Sequence, residues 1–85
     1  MDIQPDMVLD AKGLICPMPS VKTSLKLGQM EKGEVIEILT TDEASKSDLP
    51  AWAKGTGNEL LKVESDKDDA NVTHIFIKKI ANKMR

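Results

Sequence analysis

The side chain with the most chemistry to offer is Cys16, the chain's one cysteine, set in the run Gly13-Leu14-Ile15-Cys16-Pro17-Met18-Pro19. Pro17 suits the first position of a helix, where a missing N–H is tolerated. Cys16 is then the residue that caps the helix, and cysteine is a poor cap beside Ser, Asp or Asn. A weak cap at a well-marked helix start points to selection for something other than helix stability. Pro17 and Pro19 carry no N–H, so Met18 is the one residue of the first helical three able to donate to the cysteine sulfur. The positive end of the helix dipole acts in the same direction, and together they lower the thiol pKa toward neutrality. Such a thiol suits sulfur exchange, which runs best when the attacking thiol titrates near ambient pH. The alternative is the ordinary one for a free cysteine, a small buried hydrophobe. Met18 is assigned to the core.

The remaining candidates are weaker. His74 is the one histidine. It alternates with Ile75, which places it with Phe76 and Lys78 on the wet face of a strand, away from Cys16. A Cys–His catalytic pair is therefore not expected. Asp66, Asp68 and Asp69 form an acidic group that reads as a solvated turn rather than a cation site. Lys78, Lys79, Lys83 and Arg85 read as a soluble end rather than a docking surface for an acidic partner. One cysteine and one histidine cannot furnish a closed four-ligand zinc site, an internal disulfide or a C-x-x-C dithiol. No metal or cofactor is expected.

The elements that must position Cys16 can be read from periodicity. Residues 1–6 form a loose tail, 7–80 a single domain and 81–85 a second tail. Met7–Ala11 is a short strand, closed by Gly13. Pro17 to Met30 is a helix whose apolar stripe is Met18, Val21 and Leu25, with Lys22, Lys26 and Gln29 on other faces. Lys32 and Gly33 mark its end. Glu34–Thr40 is a strand with Ile36 and Ile38 on one face and Val35, Glu37 and Leu39 on the other. Ser45 or Ser47 caps a second helix, with Pro50 in its first turn and Leu49, Trp52 and Ala53 facing inward. Gly55 and Gly57 end it. Asn58–Ser65 is a strand with Leu61 and Val63 on one face. Asp66–Asn71 is a turn, and Val72–Ile80 is a final strand with Ile75 and Ile77 together. The first two strands flank a helical crossover and should run parallel, with a right-handed connection. The last two should form an antiparallel pair. The expected class is α+β: a two-layer sandwich of order β-α-β-α-β-β, with a mixed four-stranded sheet, two helices on one face and the other face open. Glu37, Lys62, Glu64 and Lys78 alternate with apolar residues, as one wet face requires.

Composition narrows the function classes. The chain has 85 residues, 12 basic and 14 acidic side chains and a formal charge of −2. That balance, with Trp52 and Phe76 as the only aromatic residues, argues against direct nucleic-acid binding, which wants a basic stripe and stacking platforms. No basic start followed by an apolar run marks a secretory leader, and no stretch is apolar enough to span a membrane. A lone free thiol fits a reducing cytoplasm.

The residues from Leu9 to Pro19, Leu9-Asp10-Ala11-Lys12-Gly13-Leu14-Ile15-Cys16-Pro17-Met18-Pro19, resemble the signature of the TusA, or SirA-like, family of sulfur carriers. The likeness continues through Gly33-Glu34, Thr41-Asp42, Asp48-Leu49-Pro50-Ala51-Trp52 and Gly57-Asn58-Glu59-Leu60. Glu43 stands where many members have proline and Asn58 where many have histidine. The resemblance implies the fold just derived and a sulfurtransferase that carries sulfane sulfur as a persulfide on Cys16. Gly13, Pro17, Met18 and Pro19 then support the helix start, and Asp10, Asp42 and Asp48 match the motif without an assigned role. It also implies a sulfur donor, a cysteine desulfurase or rhodanese-like protein, and an acceptor of the DsrE or TusD type. The routes it implies are tRNA thiolation, molybdenum cofactor supply or sulfur oxidation, served by a monomer or weak dimer. The competing reading is a non-enzymatic regulatory, RNA-binding or protein-binding module that uses the open sheet face, where Val35, Leu39, Leu60 and Phe76 would supply an apolar patch, or a dimer contact.

Overall fold

The computed structural model describes residues 4–15 and 18–80. Six elements follow in the expected order: β1 (Met7–Ala11), α1 (Met18–Gln29), β2 (Val35–Thr40), α2 (Glu43–Gly55), β3 (Glu59–Ser65) and β4 (Thr73–Lys78). The sheet order is β1-β2-β4-β3. β1 and β2 run parallel, with Leu9 opposite Ile38 and Ala11 opposite Thr40. β2–β4 and β4–β3 are antiparallel. One sheet face presents Leu9, Ala11, Ile36, Ile38, Ile75 and Ile77, and these join Leu27 and Met30 with Leu49 and Ala53 of α2 in a single core. The β-branched residues of β2 and β4 alternate in step with the pleat, so a single register buries both sets.

The face that α1 turns inward differs from the expected one. Pro19, Thr23 and Leu27 are its buried residues, while Met18, Val21 and Leu25 are 40%, 44% and 64% exposed. Both sets have helical spacing, so periodicity alone cannot choose between two neighbouring stripes. Thr23 can be buried because its hydroxyl donates to the Pro19 carbonyl at 2.7 Å, leaving no unpaired polar group. Met18 therefore belongs to the surface, not the core.

α2 also starts earlier than expected. Asp42 is its cap, and its carboxylate accepts from the Ser45 N–H at 3.0 Å and the Ser45 hydroxyl at 2.9 Å. Ser45 thus serves the cap from inside the helix. Pro50 lies within the helix rather than in its first turn. Leu49 and Ala53 are buried and Trp52 packs half-buried against them. The positive φ of Gly57, 85°, turns the chain out of α2 toward β3.

A bulge in β3 between Leu60 and Lys62 resets its alternation. Leu60 pairs with Ile77 and Val63 with Ile75, so these two, three residues apart, share the helix-covered face. The expected grouping of Leu61 with Val63 fails for that reason, and Leu60 packs on the core instead of the open face. Lys79 is not part of a solvated end. It is buried, and its ammonium donates to the carbonyls of Leu27 at 2.5 Å and Met30 at 2.6 Å, satisfying two acceptors at the C-terminal end of α1. Asp6, just before β1, exchanges hydrogen bonds with Val35: its N–H donates to the Val35 carbonyl at 2.8 Å and its carboxylate accepts from the Val35 N–H at 2.9 Å.

Candidate functional site

Parallel pairing of β1 and β2 sends both chains off the same end of the sheet, side by side. The β1–α1 loop carries the cysteine motif; Cys16 and Pro17 themselves lie outside the described residues. The loop begins with a turn. The Asp10 carboxylate accepts from the Lys12 N–H at 3.0 Å, and the Leu14 N–H donates to the Ala11 carbonyl at 3.1 Å. Gly13 takes φ 84°, a left-handed conformation that a residue with a Cβ adopts only with strain. Its N–H donates to Thr41 Oγ1 at 3.0 Å, which ties this loop to the one leaving β2. Leu14 turns back onto the core, while Ile15 is 70% exposed.

The described partner of the Met18 N–H is the Ile15 carbonyl, at 2.9 Å. This hydrogen bond engages the N–H expected to serve the cysteine sulfur, and the sulfur itself lies outside the described residues. Pro19 does more than lack a donor, since it is buried under α1 and its carbonyl accepts from Thr23.

Of the residues matched by motif, Asp10 and Asp42 have local structural partners: Asp10 shapes the turn and Asp42 caps α2. Asp10, at the end of β1, and Asp42 thus flank the two adjoining loops that carry Gly13 and Thr41. Asp48 is exposed on α2 and does not belong to either loop. The feature that periodicity missed is the outer surface of α1. Ile15, Met18, Val21 and Leu25 are exposed apolar residues that bracket Cys16 in the chain and continue along the helix. Beside them a shallow hollow is lined by Ser20, Val21, Ser24, Leu25 and Trp52. α1 carries Lys22 and Lys26 and no acidic residue, so this surface is apolar with a basic border. The signal for it was present in the sequence, because Leu27 and Met30 complete a second stripe that makes the first one surplus to the core.

A second polar cluster lies on the open sheet face, at the register positions of β2 and β4. His74 Nδ1 bonds Glu37 Oε2, and Nε2 bonds Asp66 Oδ1 at 2.7 Å. Partial burial works against the imidazolium, but the hydrogen bonds from Asp66 and Glu37 outweigh it and raise the His74 pKa above its ordinary value. The His74 hydrogen bond, with the N–H groups of Asp68 and Asp69, in turn lowers the Asp66 pKa. The acidic run is therefore a turn organised around Asp66. Both ring nitrogens of His74 are taken, which leaves none for a thiol. The two carboxylates approach opposite edges of the ring, and among the described residues no group of three or more His, Cys, Asp or Glu is arranged to hold a metal ion. Phe76 lies on this face but is only 7% exposed, and Leu60 is on the other face.

Comparison with known proteins places the whole arrangement. The family described as "Sulfurtransferase TusA" matches residues 7–79. The sulfur carrier protein TusA of Allochromatium vinosum is 40% identical over 74 residues, which are 87% of this chain and 93% of that protein. YrkF of Bacillus subtilis is 55% identical over 60 residues, 71% of this chain; the match spans only 32% of that longer protein. In three dimensions, the crystal structure of a SirA-like protein from Desulfitobacterium hafniense superposes with a TM-score of 0.76. That match covers 88% of this chain and 99% of the other at 24% identity, and so speaks to the fold. With the signature at the β1–α1 junction, the expected sheet and a match over nearly the full length, the chain belongs to the sulfurtransferase TusA family.

Proposed function

We propose that the chain is a sulfur carrier that takes sulfane sulfur onto Cys16 and passes it to a cysteine of another protein. The Cys16 thiolate attacks the outer sulfur of a donor persulfide. The donor's sulfur–sulfur bond breaks, its inner sulfur leaves as a thiolate, and Cys16 gains a persulfide. In the second step an acceptor thiolate attacks that outer sulfur and Cys16 leaves as a thiolate. Each step exchanges one sulfur–sulfur bond for another, so no external oxidant or reductant is required.

The observation that carries this reading is the single cysteine in a Cys-Pro-x-Pro junction within a family match over residues 7–79. The exposed apolar residues next to it support a protein partner, since sulfur passes only when two cysteines meet and the surrounding surfaces must then touch. The donor class is a cysteine desulfurase or rhodanese-like protein and the acceptor class a DsrE- or TusD-like one. The sulfur then serves tRNA thiolation, molybdenum cofactor supply or sulfur oxidation. A reducing cytoplasm keeps the thiol free for this work. The burial of Phe76 and the placement of Leu60 on the core side remove two of the four residues expected to supply an apolar patch on the open face.

The test is direct. The protein is incubated with polysulfide or with a cysteine desulfurase and its substrate, and intact mass is measured. The wild type gains sulfur that a reductant removes, and Cys16→Ser gains none. Reducible sulfur on Cys16→Ser would end the assignment.

A further inference from the structure

We infer that Thr41 is a positioning residue for Cys16; this rests on the sulfur-carrier reading. The loop that presents Cys16 is shaped by short-range bonds, from the Lys12 N–H to Asp10 and from the Leu14 N–H to the Ala11 carbonyl. These bonds tie the loop to the end of β1, its own neighbour in the chain, and not to the segment that leaves β2. Leu14 supplies an apolar anchor that has no direction of its own. The bond from the Gly13 N–H to Thr41 Oγ1, at 3.0 Å, supplies the directional one and spans 28 residues of sequence.

The acceptor is itself well held. Thr40, one residue before it, is buried and paired with Ala11 on one side and Thr73 on the other. Asp42, one residue after it, donates its N–H to Thr40 Oγ1 at 3.2 Å while its carboxylate caps α2. Thr41 therefore offers its hydroxyl from a segment fixed at both ends. At Gly13 the chain continues from this hydrogen bond with φ 84°, a conformation glycine adopts without strain. Three residues later the chain reaches Cys16. Sulfur exchange is an in-line displacement that depends on the approach of one sulfur to another, so a loop free to drift loses rate without losing its thiol.

The experiment compares wild type, Thr41→Val and Thr41→Ser. Valine keeps the branched shape and removes the acceptor; serine keeps the acceptor. Three quantities are read: the rate at which glutathione persulfide loads Cys16, the rate of alkylation by iodoacetamide across pH, and the exchange rate of the Gly13 amide. Thr41→Val should load roughly fivefold more slowly, the factor expected for one ordinary hydrogen bond, and its Gly13 amide should exchange faster. Thr41→Ser should stay within about twofold of wild type on all three readings. Rates for Thr41→Val within about twofold of wild type would overturn the inference, as would a serine variant as slow as the valine one. Should Thr41→Val fail to fold by circular dichroism, the wild-type Gly13 amide decides: protection supports the bond, and exchange at the open-chain rate overturns it. If wild type takes up no sulfur at all, the carrier reading fails, while alkylation and amide exchange still judge Thr41.

Discussion

The two ends of α1 are built to opposite standards. At the C-terminal end, the buried Lys79 ammonium reaches across from the end of β4 and donates to the Leu27 and Met30 carbonyls. At the N-terminal end the helix starts at the cysteine junction, with two prolines that bring no N–H, a Met18 N–H held by the Ile15 carbonyl, and exposed apolar side chains on either side. One end is closed by a long-range charge-assisted contact, whereas at the other the described side chains of Ile15 and Met18 are apolar and exposed. The described contacts that stabilise α1 are at its far end and on its inner face.

The largest effect should separate the two faces of α1. Leu27→Ala should lower stability by about 2–5 kcal/mol in urea unfolding, because Leu27 is fully buried and leaves a cavity. Leu25→Ala, two residues away and 64% exposed, should stay within about 0.5 kcal/mol. Equal losses would erase the distinction between the faces.

Next comes the closed end. Lys79→Met keeps the apolar stem and removes the ammonium, and should lower stability by about 1.5–3 kcal/mol, the range for a hydrogen bond to a charged group. Unchanged urea midpoints would mean that water replaces the lysine at no loss.

The helix starts can be compared in the same way. Asp42→Ala removes the side chain that caps α2 and should lower stability by about 1 kcal/mol. Thermal unfolding of that variant beside Cys16→Ala should show the smaller loss at Cys16, if the start of α1 is not built for stability. A larger loss at Cys16 would make the cysteine structural.

The smallest effect concerns the open sheet face. The His74 pKa is raised above 6.5, so its contribution is complete below 6.5 and is lost as pH rises through the raised native value. The Asp66 pKa is lowered below 3.8, so its contribution is present above 3.8 and is lost as pH falls through the lowered native value. The urea midpoint should therefore decline as pH rises from mildly acid to alkaline, and His74→Gln should flatten that slope. The pH profile of Cys16 alkylation should be the same in His74→Gln as in wild type, since both ring nitrogens already have carboxylate partners. A shifted alkylation profile would reconnect the histidine to the thiol.

The order of elements, the cysteine junction and the buried faces of β2 and β4 are legible in the amino-acid pattern alone. These follow from local rules: a glycine–proline pattern marks a turn, and alternation at period two tells one strand face from the other. Tertiary structure decided what those rules leave degenerate. Two apolar stripes on α1 are equally helical, and the sheet selected Pro19, Thr23 and Leu27 because that face meets β1 and β2 while the Thr23 hydroxyl finds a carbonyl within its own helix. The bulge between Leu60 and Lys62 shifted β3 by one residue, and only its pairing with β4 reveals it. Lys79 reads as solvated from its neighbours in the chain, yet the carbonyls it serves lie 49 and 52 residues away. His74 likewise finds Glu37 across the sheet, 37 residues away. Apolar patterning is written locally because burial has no direction, whereas hydrogen bonds and ion pairs need a partner at a set distance and angle, and only the folded chain brings that partner near.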